Sequence, residues 1–134
     1  MSRLFRLGLI LCTLAWLTAC RESAIATPQK EDVVVTFRVA DVEEYRIRLT
    51  DTADIEIARK LLAGEEAPRI PNGVVVRGDP DVNVGYTWHI DLESVEFADF
   101  TMEVCDGLPS DVEKGIITSD RYCPWSTEVI AIDE

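Results

Sequence analysis

The chain has 134 residues, with 25 acidic side chains against 13 Lys and Arg, a single His and a net charge of −12. That balance excludes nucleic-acid binding, which needs a basic footprint, and a domain lying flat on an anionic bilayer. The length fits one domain of ordinary size.

Residues 1–19 read as a targeting segment. Arg3 and Arg6 precede an uncharged apolar run, Leu7–Leu17. The run is long enough for a signal-peptide core but shorter than the about 20 residues a bilayer span needs. It ends in Leu17-Thr18-Ala19-Cys20, which resembles the lipobox of bacterial lipoproteins. The resemblance implies diacylglyceryl transfer to the Cys20 thiol, cleavage before it, and acylation of the new amino group. An ordinary signal peptide with a chance Cys is the alternative. Removing 19 residues leaves a mature chain of 115, with 11 basic against 25 acidic side chains once Arg3 and Arg6 are gone. Several acyl chains anchor a protein stably where one does not. The expected location is therefore extracytoplasmic and lipid-anchored at the cell envelope. Arg21 after the lipidated Cys is compatible, by the same resemblance, with transport to an outer membrane. Residues 20–32 comprise the lipidated Cys and a polar tether without apolar periodicity, spanning roughly 20 Å if flexible.

A single globular domain is expected over 33–134. Val33, Val35, Phe37 and Val39 share a face opposite Val34, Thr36 and Arg38, as Tyr45, Ile47 and Leu49 do opposite Arg46 and Arg48. A period of two predicts half-buried strands over 33–40 and 45–50, joined as a hairpin across Asp41-Val42-Glu43-Glu44. Ile55, Ala58, Leu61 and Leu62 then share a helical face, with Asp51 or Thr52 as cap and Gly64 as terminator. Pro68, Pro71 and Asn72-Gly73 read as breakers. Short strands are predicted over 74–76, 84–92, 95–97 and 100–105. Ser110-Asp111-Val112-Glu113 has the form of a capping box, and a last strand is predicted over 127–132. This order predicts an α+β domain, an antiparallel or mixed sheet with one main helix on a face; a sandwich with an added helix is the alternative. Cys12 and Cys20 belong to signal and anchor, so Cys105 and Cys123 remain as a pair. In an oxidising compartment they are expected to form a disulfide, closing a loop of about 18 residues worth roughly 3 kcal/mol.

Three segments carry a family resemblance: "YRIRLTDTADIEIARKLLAGE", "NVGYTWHIDLESVEFADFTMEVCDGLPSDVE" and "YCPWS". Over about 33–126 the chain is similar to a family of small secreted domains named after the N-terminal domain of a calmodulin-binding protein. The resemblance implies no catalytic residue. It does not imply calmodulin as a partner either, because calmodulin targets are basic amphipathic helices, and the helix here sets Asp51, Asp54 and Glu56 against Arg59 and Lys60.

Three groups of residues are candidates for chemistry. His89 and Asp91 share one face of a strand, opposite Trp88 and Ile90, and with Trp125 they form the candidate binding surface. A carboxylate beside a His can orient a general base, yet the chain has no nucleophile signature such as GxSxG and too few His and Cys for an ordinary zinc site. The expected role of His89 is a hydrogen bond to a neighbouring turn. Asp79, Asp81 and Asn83 alternate like calcium ligands, but Val84 and Ile90 stand where an EF-hand needs Gly and Glu. Calcium is at most a weak candidate cofactor there, and a turn is the expected structure. Glu93, Glu96, Asp99, Glu103 and Asp106 read as solvated carboxylates. The expected function is a non-enzymatic binding domain on a lipid anchor, with a basic protein as the partner its charge favours. A small hydrolase or metal-dependent enzyme centred on His89 is the alternative.

Overall fold

The computed structural model describes residues 30–134; Cys20 and the signal segment lie outside the described residues. The elements are β1 (Val33–Val39), β2 (Glu43–Leu49), α1 (Thr52–Leu62), β3 (Ile70–Arg77), β4 (Trp88–Ile90), β5 (Glu96–Ala98), α2 (Pro109–Glu113), β6 (Arg121–Tyr122) and β7 (Thr127–Asp133), with 3-10 turns at Leu92–Ser94 and Glu103–Cys105.

The alternating runs form the hairpin they predict. β1 pairs antiparallel with β2 from Val33↔Leu49 to Val39↔Glu43. Val33, Val35, Phe37, Val39, Tyr45, Ile47 and Leu49 are all buried, each contributing about 1.5–3 kcal/mol relative to exposure. At the turn, Ala40 and Asp41 adopt φ of +48° and +60°, the left-handed region that costs a non-glycine residue about 1–2 kcal/mol. The Ala40 N–H donates to the Ser126 carbonyl at 2.8 Å and the Val42 N–H to the Val39 carbonyl at 3.0 Å, holding the turn in place. Ala40→Gly is therefore expected to raise the unfolding free energy by about 0.5–1 kcal/mol, relief of strain outweighing the added freedom of the unfolded chain. A urea titration that found it destabilising would show that this turn stores no strain.

β7 lies on the other side of β1, giving a sheet in the order β2-β1-β7. α1 packs chiefly across β7 and also reaches β5. Asp51 caps it, its carboxylate accepting from the Ala53 and Asp54 N–H groups at 2.8 and 3.2 Å. Ile55 and Ala58 form its buried face, and Leu62 at its last position is exposed.

The second sheet is built on β3, and here the sequence expectations need correction. Pro71 and Asn72-Gly73 lie inside the strand. Ile70–Asn72 pair with β5, Gly73–Val74 with β6 and Val75–Arg77 with β4, all antiparallel. Gly73 serves close approach and not a turn, since a Cβ there would collide with Ile90 Cγ2. The strand expected over 84–92 is reduced to Trp88–Ile90. Residues 79–87 form turns instead, with Gly85 at φ +100° and Val84 74% exposed. No strand forms over 100–105. Continuing the Ile70↔Ala98 register would set Phe100 opposite Pro68, which has no N–H to give. The expected capping box is also displaced by residue. Asp111, not Glu113, reaches back, accepting from the Leu108 N–H at 3.0 Å, and Glu43 of β2 accepts from the Ser110 N–H at 2.8 Å.

The fold is thus α+β, with two antiparallel sheets, one main helix and the Cys105–Cys123 disulfide, Cα atoms 5.1 Å apart. An aromatic cluster joins the sheets. Tyr45 of β2 lies 6.0 Å from Trp88 of β4 and 5.3 Å from Tyr122 of β6, and Trp88 and Tyr122 meet edge-on at 5.5 Å. The main core cluster draws its buried residues from Val33 to Val129, so residues 30–134 contain a core of their own.

Candidate functional site

His89 sits on β4 opposite Val76, with Trp88 and Ile90 buried on the other face, as the alternation predicts. Its Nδ1 lies 2.7 Å from the Asp79 carbonyl oxygen. A carbonyl can only accept, so Nδ1 carries the proton and the ring is tied to a turn, the role expected of it. Asp91 does not orient His89. It caps the 3-10 turn at Leu92–Ser94, its carboxylate accepting from the Glu93 N–H at 3.2 Å. Among the described residues no three His, Cys, Asp or Glu side chains converge as a metal-binding group would.

The Asp79–Asn83 turn uses its polar groups internally. Asp79 Oδ1 accepts from the Asp81 N–H at 3.0 Å. Asp81 makes a forked pair with Arg48, at 3.0 and 3.1 Å. Asn83 is fully buried: its Oδ1 accepts from the Arg46 N–H of β2, and its Nδ2 donates to the Trp88 carbonyl of β4, each at 3.0 Å. One amide thereby joins the edge strand of the first sheet to the second. It also blunts an edge that would otherwise offer free backbone groups to another chain. Asn83 has no exposed oxygen to offer a cation.

The forked bond to Arg48 is the main reason that the Asp81 carboxyl is held below its ordinary range; partial burial acts the other way. A depressed folded-state pKa gives stability that is present above the unfolded value and lost as pH falls through the folded one. The pair is partly exposed and screened, so Asp81→Asn is expected to cost about 0.5 kcal/mol near neutral pH. The two proteins should converge in stability as pH falls through the depressed folded-state pKa of Asp81, below the ordinary carboxylate range. A difference that persisted there in paired urea titrations would assign the effect to packing.

Trp125 lies elsewhere. It follows Cys123, which packs with Cys105 and Ile70 at the start of β3, whereas His89 pairs with Val76 near the end of β3. Six residues of strand, roughly 20 Å, separate the two. His89 and Trp125 therefore do not form one surface. Trp125 is 42% exposed. Its Nε1 donates to Thr101 Oγ1 and its N–H to Asp106 Oδ1, both at 2.8 Å. With the disulfide these bonds fasten segment 100–106 to segment 123–125. The segment so held carries Phe100 (86% exposed), Met102 and Val104, all in water. Their alternation is visible in the sequence, where it reads as a short strand over 100–105.

These residues lie at one end of the domain. The chain enters at the other end, where Glu31 and Glu134 both pair with Arg59 of α1, and Asp32 and Asp81 both pair with Arg48 of β2. Val34↔Asp133 marks the entry end and Val39↔Thr127 the far end of the first sheet. The Ala40–Asp41 turn, Arg38 and Trp125 line a shallow cleft of about 260 Å³ at the far end. A second, open cleft of about 530 Å³ lies between Asp99 and the chain after α1, Gly64–Arg69.

The class these features define is a small disulfide-closed α+β domain of two antiparallel sheets. The chain belongs to the BP-74 N-terminal domain family, whose model matches residues 31–134, the family that the three quoted segments resemble. Comparison with curated proteins and with solved structures found no match.

Proposed function

We propose that this protein is a lipid-anchored envelope component whose domain is a non-enzymatic binding module presenting its far end to a partner. One observation carries the reading. Large apolar side chains stand in water on a covalently fastened segment, at the end of the domain opposite the point of chain entry. Contiguous exposed apolar side chains of this kind mark interaction sites, and fastening the segment beforehand lowers the ordering cost of binding. Anchoring through Cys20 rests on the lipobox resemblance and fits this polarity, since a tether at the entry end leaves the far end turned away from the bilayer. The partner expected on charge grounds is basic. Among the described residues no helix is long and apolar enough to cross a membrane.

Two measurements test the proposal. The intact mass of membrane-extracted protein should show a chain beginning at an acylated Cys20, and Cys20→Ser should move the protein to the soluble fraction. A photo-crosslinking side chain placed at Phe100 in intact envelopes should give a discrete protein adduct, and one placed at the comparably exposed Val84 should not. Adducts at neither position would remove the binding reading, and equal adducts at both would remove the far-end site.

A further inference from the structure

Building on the binding reading, we infer that the fastened segment Asp99–Asp106 together with Trp125 docks a polypeptide that presents apolar side chains flanked by Lys or Arg, and not a lipid surface. Phe100, Met102 and Val104 supply apolar anchors on alternate residues, and Trp125, bonded to Thr101 across the segment, borders them. The charge around them is predominantly negative: one exposed cation, Arg69, stands beside Asp99 and Trp125, with Glu65 and Glu66 on the same cleft. From Phe97 to Glu113 the chain contains Asp99, Glu103, Asp106, Asp111 and Glu113 and no Lys or Arg. Asp99 and Glu103, on the segment itself, are exposed. On the hairpin side of the cleft, Arg38 is neutralised by Glu44 at 3.0 Å.

This arrangement selects among occupants. A second copy of the chain would bring the same acids against these and be repelled. An anionic bilayer would be repelled likewise, and the segment stands about 20 Å, the length of β1, from where the tether enters. A cationic segment with apolar anchors satisfies both features, because apolar burial supplies affinity and opposite charge supplies rate and selectivity.

The probes are a fluorescent amphipathic Lys/Leu peptide, its Glu/Leu counterpart, and vesicles of phosphatidylglycerol and phosphatidylethanolamine, each titrated with the 30–134 domain. The Lys/Leu peptide is expected to bind saturably. Raising the salt to about 0.5 M should weaken it severalfold, and Phe100→Ser with Met102→Ser should weaken it about tenfold, against no change for Val84→Ser. Equal binding of the Glu/Leu peptide, insensitivity to the Phe100 and Met102 changes, or vesicle binding that depends on Phe100 would each overturn the inference. No binding of the Lys/Leu peptide would overturn it as well. If the Phe100 crosslink still forms in envelopes, only the partner chemistry is refuted and the binding reading stands.

Discussion

Asn83→Ala is expected to lower the unfolding free energy by about 3 kcal/mol, because it strands two buried backbone groups at once. The Arg46 N–H and the Trp88 carbonyl each have the Asn83 amide as partner. Two groups at about 1–3 kcal/mol each, partly offset by relaxation and entering water, set that magnitude. Asn83→Asp is the sharper variant. It keeps an acceptor for Arg46 but loses the donor to Trp88 and buries a charge in a fully enclosed site, so it should be at least as damaging as Ala near neutral pH. Calcium at millimolar concentration should leave the melting temperature of the wild-type domain unmoved and should not rescue Asn83→Asp. If Asn83→Ala cost less than about 1 kcal/mol in a urea titration, the amide would not be the joint between the sheets. Because the lost bonds also cover the edge of β2, the variant is expected to self-associate at concentrations where the wild type stays monomeric.

Replacing both Cys105 and Cys123 by Ser is expected to cost about 3 kcal/mol, the chain-entropy value for a loop of this size; the separation is 18 residues. The double change avoids leaving a lone reactive thiol. Local consequences should exceed the global one. The disulfide, the Trp125 bonds to Thr101 and Asp106, and the Cys123 N–H donating to the Cys105 carbonyl at 2.8 Å tie segment 100–106 to segment 123–125. Removing the bridge should release the segment, shift Trp125 emission to the red and speed amide exchange over 100–106, while Val35 and Ile47 in the first sheet stay protected. Lys/Leu peptide binding should weaken in parallel, since a mobile segment must be ordered before it can dock. A double variant that retained wild-type emission and exchange would show that the hydrogen bonds alone fasten the segment.

Much of the fold was legible from periodicity. The first hairpin, α1 with its Asp51 cap, β7 and the inward Trp88 and Ile90 all follow from alternation or helical spacing over runs long enough to repeat. The Cys105–Cys123 bridge follows from having two cysteines left over. The errors cluster in the second sheet and share a cause. Pro71 and Gly73 are breakers by local propensity, but β3 places Pro71 where Phe97 is its partner and uses Gly73 to make room for Ile90. Val84 and Phe100 look apolar enough for strands, yet Val84 sits in a turn whose Asn83 side chain, and not its backbone, meets the edge of β2, and Phe100 lies beyond the last pair of β5. Strands of two or three residues, such as β4, β5 and β6, repeat too few times for a period to be read.

The candidate site divides the same way. Residue types alone determined that this is an acidic domain with one His, without a nucleophile motif and with a stapling pair of cysteines. They also pointed correctly to a turn at Asp79–Asn83 and to a hydrogen bond from His89 to a turn. Only the tertiary structure decided that Asn83 is the joint between two sheets, that His89 and Trp125 stand at opposite ends of β3, and that Phe100, Met102 and Val104 face water. The reason is physical. Alternation shows which residues share a face, but it carries no information about whether anything covers that face. Cover is supplied by chain segments distant in sequence, and here the pairing of β3 with β5 ends at Ile70↔Ala98, before residues 100–104.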